Sequence, residues 1–341
     1  MAKHVYGIDF GTSHIKLYDG ITKKLLEERN LIAIKDKTEI FGFGDAAFLM
    51  YEKAPSNISI TYPIKDGVIA DLGRMTRLFE CFFQKINFPK KRKSGDFCIA
   101  LPSDISDVEK RAFYDLVADS KMKAKDIVIV DKPLADAIGC GLDVLGRRAH
   151  LIIDIGADTT EISVVSLGGI VISKILKVGG NTLDEAIAHA IRQKYNMMIG
   201  LKTAETIKIT LSNAMPAEDE MDALRIFGRD IITGFPCEKS ISASLVNQEI
   251  HNILTQMADA IHSILDRTPP DLAANIAEDG IYLTGGSSQI PNIDDLLSQN
   301  VRLPVNLTKK PTLSVIKGIS VILDNPEYKD LLYTPRDNDE Y

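Results

Sequence analysis

The chain has 341 residues, 45% of them hydrophobic and 26% charged, and carries a net charge of −7 at pH 7. That length allows two compact lobes, each with its own core, and the acidic balance excludes a protein that coats nucleic acid through a broad basic face. Cys81, Cys98, Cys140 and Cys237 are scattered without a C-x-x-C pair, which argues against a disulfide framework or a zinc site.

The opening residues, MAKHVYGIDFG, lack an apolar signal core, and no apolar run reaches the roughly 18 residues needed to span a bilayer, so a cytosolic protein is expected. Runs rich in Val, Ile and Leu predict strands over 5–9, 15–18, 97–101, 127–130, 150–154, 161–166 and 281–284. Helical patterns fall at 71–87, 106–119, 182–195, 202–212, 245–266 and 292–298, leaving the last third mainly helical. Ser106 with Glu109, and Thr182 with Glu185, have capping-box spacing, and Pro269 and Pro270 must end the long 245–266 helix because neither can donate to its ladder. The less regular stretch 20–67 reads as an insertion on the first lobe, bounded at 31–66, and 180–240 reads as a second insertion. Residues 1–30 and 67–148 then form the first large lobe, 149–179 and 241–323 the second, and 324–341 a polar tail.

One internal similarity organises the whole reading. GIDFGTSHIKLY from Gly7 and IDIGADTTEISV from Ile153 share strand, Asp, x, Gly, turn and second strand. Two such hairpins facing one polyphosphate would offer backbone N–H donors, with Asp9 and Asp154 able to hold magnesium through its waters. A third element, DGIYLTGGSSQIPNIDDLL from Asp279, runs from a strand through Gly-Gly into a helix, a layout suited to close backbone approach by a ligand.

In this order the three turns resemble the superfamily of actin, the heat-shock chaperone ATPases and the sugar kinases. PIKDGVIAD at 63–71, SLGGIV at 166–171, VGGNTLDEAI at 178–187, TAETIKI at 203–209, RTPPDLAANIAEDGIYLTGG at 267–286 and LPV at 303–305 narrow the resemblance to the bacterial actin MreB, over roughly residues 4–323. The resemblance implies an α/β, actin-like (ribonuclease H-like) fold of two lobes with duplicated βββαβα cores and small inserted subdomains. It also implies ATP or ADP with magnesium as ligand, and self-assembly into head-to-tail cytoskeletal filaments for cell shape or motility. By the same carry-over, Thr12, Ser13 and His14 form the first phosphate loop and Gly156, Ala157 and Asp158 the second, followed by Thr159. Glu205 and Lys208 take the ribose and adenine side, and Gly285, Gly286, Ser287 and Ser288 the adenosine turn.

Three departures from the family pattern bear on chemistry. The second phosphate loop, usually D-I-G-G-G-T-T-E, reads DIGADTTE, so Ala157 and Asp158 replace glycines and a further carboxylate lies where phosphate is expected. The segment usually read E-E-P-x-A-A-A-I-G is DKPLADAIG, which puts Lys132 where a Glu positions the attacking water. A protonated lysine has no lone pair for that task. Asp158 and Lys132 are expected to compensate one another's charge; independent drift, or Asp158 positioning water itself, are the competing readings, and all three predict slow hydrolysis. Lys16 stands where the family has an apolar residue and conventional actin a phosphate-contacting lysine; a solvated strand lysine is the alternative.

The basic run Lys90, Lys91, Arg92 and Lys93 would give weak, salt-sensitive adsorption to anionic membrane, at roughly 1 kcal/mol per cation; a solvated loop is the competing reading. Besides a self-assembling filament, the departures fit a nucleotide-binding regulatory paralogue that co-assembles with a more active MreB, of the divergent kind found in wall-less helical bacteria. A small-molecule kinase is the enzyme alternative, and no substrate-pocket signature supports it.

Overall fold

A computed structural model describes residues 4–85, 95–122, 124–215 and 222–335. The chain forms two compact units, Met1–Arg148 with Val165–Ser173 and Thr312–Tyr341, and Ala149–Val164 with Lys174–Pro311. Unit 1 runs through β1 (Val5–Phe10), β2 (His14–Asp19), β3 (Lys24–Arg29), β4 (Ile32–Lys35), β5 (Glu39–Phe43), α1 (Gly44–Met50), β6 (Ile58–Thr61), β7 (Ile64–Lys65), β8 (Val68–Ile69), α2 (Leu72–Lys85), β9 (Asp96–Leu101), α3 (Asp107–Ala118), β10 (Ile127–Asp131) and α4 (Lys132–Cys140). The chain continues with β11 (His150–Ile155), β12 (Thr160–Ser166), β13 (Gly169–Leu176), α5 (Gly180–Tyr195), β14 (Met197–Met198), α6 (Leu201–Leu211), β15 (Ala223–Asp230), β16 (Pro236–Ser242), α7 (Ala243–Arg267), α8 (Pro270–Asp279), β17 (Ile281–Thr284), α9 (Ile293–Val301) and β18 (Val305–Leu307), and returns to unit 1 with α10 (Ser314–Asp324).

The duplication suspected from two hairpins extends to whole sheets. The first is ordered β10-β9-β1-β2-β3, and the second, read in the same sense, is β18-β17-β11-β12-β13. In the first, β1 pairs antiparallel with β2 and parallel with β9, which is parallel to β10; in the second, β17 is parallel to both β11 and β18. Strands β9, β11 and β12 are buried along their whole lengths, which explains their near-continuous apolar runs. Asp9 and Asp154 are the polar interruptions near the carboxyl ends of β1 and β11, the end at which open α/β sheets present ligand sites. Of the smaller sheets, β5-β4-β6 lies within the first segment predicted as an insertion, and β14-β15-β16 falls in the second but overruns its end, β16 continuing to Ser242.

Unit 1 is packed around aromatic rings: Tyr6, Phe10, Phe79, Phe82, Phe83, Phe97 and Phe113 are buried in one cluster, with Phe79 and Phe83 edge to face at 4.9 Å. Each such ring removed from water contributes about 1.5–3 kcal/mol. Helices α4 and α10 meet backbone to backbone: a Cβ on Gly139 would stand 1.8 Å from the Ser314 carbonyl oxygen, and one on Gly318 would stand 1.6 Å from that of Ala135. The core of unit 2 is aliphatic, with Leu183, Ile187 and Ile191 of α5 and Leu254, Ile261 and Ile264 of α7 all buried.

Every predicted strand and helix is present. The irregular stretch 20–67 holds β3 to β7 and α1, short elements whose burial patterns mix exposed and half-buried positions and so give a weak period. Ser106 and Glu109 do form the capping box. Thr182 is not the N-cap of α5; the helix starts two residues earlier, and the Thr182 hydroxyl, in the first turn, accepts from the N–H of the N-cap Gly179 at 3.3 Å. Pro270 opens α8 as well as following α7, because proline's missing N–H costs nothing in a first turn. Lys90, Lys91, Arg92 and Lys93 lie outside the described residues, and among the described residues no helix is long and apolar enough to cross a membrane.

Candidate functional site

In unit 1 the turn between β1 and β2 needs glycine at its first position, since a Cβ on Gly11 would lie 2.5 Å from the His14 carbonyl oxygen. Asn30, fully buried, braces the turn: its backbone N–H donates to the Ser13 carbonyl at 2.8 Å and its side-chain amide to the Gly11 carbonyl at 2.9 Å. Two turn carbonyls are thereby occupied, which biases what the turn can present to a ligand towards N–H donors. Asp9 is buried and accepts from Lys16 Nζ at 2.9 Å. Lys16, only 12% exposed at its side chain, is therefore not the solvated strand lysine of the alternative reading. His14 Nδ1 lies 3.0 Å from the Ser13 hydroxyl. Burial first, and then the Arg29 and Lys16 cations, lower its pKa to about 4, so the ring is neutral at physiological pH. Lys132 is the first residue of α4, after Asp131, whose carboxylate accepts from the Tyr333 hydroxyl at 2.8 Å.

In unit 2 the matching turn is held by the start of α5. Gly180 N–H donates to the Gly156 carbonyl at 3.0 Å, Asn181 N–H to that of Ala157 at 2.7 Å, and Gly156 N–H to that of Thr159 at 2.8 Å. The hydroxyl of Ser287 adds a second donor to Gly156 O at 3.0 Å. Asp158 accepts at 2.6 Å from the side-chain amide of Asn181. Gly179 is required for this fit, because a Cβ there would sit 2.5 Å from Ala157 O. The carbonyls of Gly156, Ala157 and Thr159 are all engaged within the unit, so this turn too is left with donors to offer, as an anion requires.

The third turn packs directly beside the second. Gly285 adopts φ +84°, and a Cβ on it would stand 2.3 Å from Asp154 Oδ1, so the strand-end carboxylate and the Gly-Gly turn touch. Gly286–Gln289 forms a short 3-10 helix in which the Ser288 hydroxyl donates to Gly285 O at 2.7 Å. On α6, Lys208 Nζ donates to Gly180 O at 2.8 Å and to Asp184 Oδ2 at 2.9 Å, while Glu205 lies one turn back and contributes to the charge around Asp184. Asp154, Gly156, Ala157, Asp158, Thr159, Glu205, Lys208, Gly285, Gly286, Ser287 and Ser288 thus all belong to unit 2, and Asp9, Thr12, Ser13, His14, Lys16 and Lys132 to unit 1. Among the described residues no group of three or more His, Cys, Asp or Glu side chains is arranged to hold a metal.

The sequence reading missed Asn30, Asn181 and Asp184. A signal existed for the last: Asp184 shares the buried stripe of α5 with Ile187 and Ile191, and Lys208 flanks that of α6, next to Ile207 and one turn from Ala204 and Leu211. A carboxylate on the core stripe of one helix and an ammonium beside that of the next are a pair awaiting each other. Asn30 and Asn181 carry no comparable signal, since their partners are backbone groups or a turn residue fixed only by the fold.

A family model described as MreB/Mbl protein matches residues 3–330. The chain belongs to the MreB/Mbl family. It is 31% identical over 320 residues to the cell shape-determining protein Mbl of Bacillus subtilis, covering 94% of this chain and 95% of that protein. To the cell shape-determining protein MreB of Escherichia coli it is 31% identical over 317 residues, covering 91% and 90%. The crystal structure of MreB5 of Spiroplasma citri bound to AMPPNP superposes with a TM-score of 0.91 at 30% identity, covering 97% of this chain and 98% of that one; the same protein bound to ADP gives 0.90. The fold is therefore actin-like, as the repeated sheets indicate. Within the MreB/Mbl frame, the unusual Asp158 has a neutral hydrogen-bond donor, Asn181, supplied by its own unit.

Proposed function

We propose that this chain is an ATP-binding bacterial actin that polymerises head to tail into cytoplasmic filaments serving cell shape or motility, with slow ATP hydrolysis. The observation that carries the reading is the second turn, whose Gly156 and Ala157 carbonyls accept from the start of α5 and whose Thr159 carbonyl accepts from the Gly156 N–H, leaving N–H donors beside the Gly285 turn. The nucleotide-bound structures of S. citri MreB5 support the same ligand class. Gly156, Ala157, Asp158 and Thr159 would hold phosphate, Glu205 and Lys208 the nucleoside, and Gly285, Gly286, Ser287 and Ser288 the adenosine side. Thr12, Ser13, His14 and Lys16 are the proposed phosphate donors of unit 1.

Magnesium, when bound with the nucleotide, supplies charge neutralisation to the phosphates. Asp9 and Asp154 are its proposed carboxylates; the buried Asp9 already answers Lys16 with one oxygen, which suits an outer role through water better than direct ligation. Lys132 in place of a water-positioning Glu removes an assistance that typically contributes roughly 10²–10⁴-fold to rate.

The test is phosphate release from the purified chain with Mg-ATP beside sedimentation of the same samples, for wild type and Lys132→Glu. Sedimentation with little release, rising at least about tenfold in the variant, supports the reading. Brisk wild-type release that ignores the substitution refutes the role of Lys132, and failure to sediment with or without nucleotide refutes the filament. A regulatory paralogue that co-assembles with an active MreB is distinguished by sedimentation only when that second protein is present.

A further inference from the structure

Asp184 on α5 is buried and Lys208 on α6 is largely so, its side chain 12% exposed, so that an ammonium or a carboxylate alone would be costly here. Lys208 Nζ stands 2.9 Å from both carboxylate oxygens, hydrogen bonding to Oδ2, and donates a second proton to Gly180 O at 2.8 Å. Burial raises the Asp184 pKa to about 6 while Lys208 pulls it down, so the carboxylate is charged at pH 7.5. A Cβ on Gly180 would crowd this corner, lying 2.8 Å from Ser287 Oγ and 3.2 Å from Lys208 Nζ. Lys208, Gly180 and Ser287 therefore share one corner with the Gly156 turn. Of the three N–H groups on an ammonium, two are spent within the protein.

The geometry points to Asp184 as a specificity-determining positioning residue of the nucleotide site: it holds Lys208 as a neutral pair, leaving one N–H for an uncharged hydroxyl or ring nitrogen of the nucleoside and withholding a free cation from the phosphates. The inference rests on the nucleotide-binding reading above. Without Asp184, Lys208 would be a largely buried cation that has lost its counter-ion, and such a charge tends to lose its proton or recruit an anion. The isosteric amide of Asp184→Asn keeps the shape of the corner and removes only the charge.

The experiment is calorimetric titration of the full-length protein at pH 7.5 with ADP and, separately, with inorganic tripolyphosphate. It compares wild type, Asp184→Asn and the double variant Asp184→Asn/Lys208→Met, with circular dichroism confirming the fold of each. Asp184→Asn is expected to weaken ADP about tenfold through the misdirected Lys208 while tightening tripolyphosphate several-fold, and the double variant to return tripolyphosphate towards wild type. Equal weakening of both ligands, or no change in their ratio, overturns the inference and leaves Asp184 a structural residue. A wild type that binds no ADP overturns the nucleotide reading and this inference together, whereas wild-type binding with an unchanged ratio overturns this inference alone. If Asp184→Asn does not fold, the double variant decides: weakened ADP binding with tripolyphosphate near its wild-type affinity supports the inference, and a marked loss of tripolyphosphate affinity, which would make Lys208 a phosphate ligand, overturns it.

Discussion

The turn after β1 and the turn after β11 share a strand plan and differ in how charge is managed. In the first, the buried carboxylate of Asp9 is answered by Lys16 from the adjacent strand, and the same lysine helps keep His14 neutral. In the second, Asp154 abuts the Gly285 turn, the extra carboxylate of Asp158 is answered by a neutral amide, and the lysine of the site is answered by Asp184. Bracing differs as well: one asparagine, Asn30, ties the first turn, whereas a helix start ties the second. A duplicated backbone thus repeats the turn geometry, while each copy sets its own electrostatics through its own side chains.

The largest expected effect comes from placing a methyl group against the backbone of each turn. Gly179→Ala forces a Cβ to 2.5 Å from Ala157 O and within 2.9 Å of Asp158 C, both backbone atoms, so the start of α5 must move off the turn. Gly11→Ala meets the His14 carbonyl at 2.5 Å but within a single turn. Both should cost at least about 3 kcal/mol in urea unfolding, and Gly179→Ala should lose more ADP affinity per unit of lost stability. Equal losses would mean that both turns are braced alike, against the contrast drawn above.

Acid should separate the two units with opposite signs. His14 has a folded pKa depressed from 6.5 to about 4, so its contribution is full above pH 6.5 and is lost as pH falls towards 4, by about 3 kcal/mol in all. Asp184 has a folded pKa raised from 3.8 to about 6; the folded state takes up its proton first, and acidification from pH 6 to 4 favours folding by about 3 kcal/mol. The two slopes oppose one another in the wild type. In chemical denaturation followed across pH 4–7, His14→Gln should therefore become more acid-tolerant and Asp184→Asn less so. Parallel shifts of both variants would show that these groups do not carry the pH dependence.

Much of this was legible in the residues. The two hairpins, their aspartates, the Gly-Gly turn and the family stretches are local in sequence, so period, turn chemistry and spacing reveal them. The braces were not: Asn30 acts on Gly11 and Ser13 from a later strand end, and Asn181 on Asp158 from the next helix, and no spacing rule links a side-chain amide to a distant carbonyl. Lys16 shows the limit from the other side. Alternation along β2 places it on one face, but only the pairing of β1 with β2, Asp9 opposite Lys16, decides that the face is occupied by a carboxylate and not by water. The Gly139–Gly318 crossing of α4 and α10 was likewise hidden, since a glycine inside a helix reads as a weakness until its partner helix is known.

The smallest expected effect bears on the second turn's extra charge. If Asn181 is what makes Asp158 tolerable beside phosphate, Asn181→Ala should remove that donor from the carboxylate. It would cost only about 1 kcal/mol of stability, because the pair is exposed, but should weaken ATP binding by about three- to tenfold through repulsion of the phosphates. Asp158→Gly should restore the affinity in the Asn181→Ala background, and the two substitutions should be strongly non-additive in ATP binding, as expected of residues in contact. Additive effects would place the compensation of Asp158 on a residue other than Asn181, and would bring the charge management of the second turn closer to that of Asp9 and Lys16 in the first.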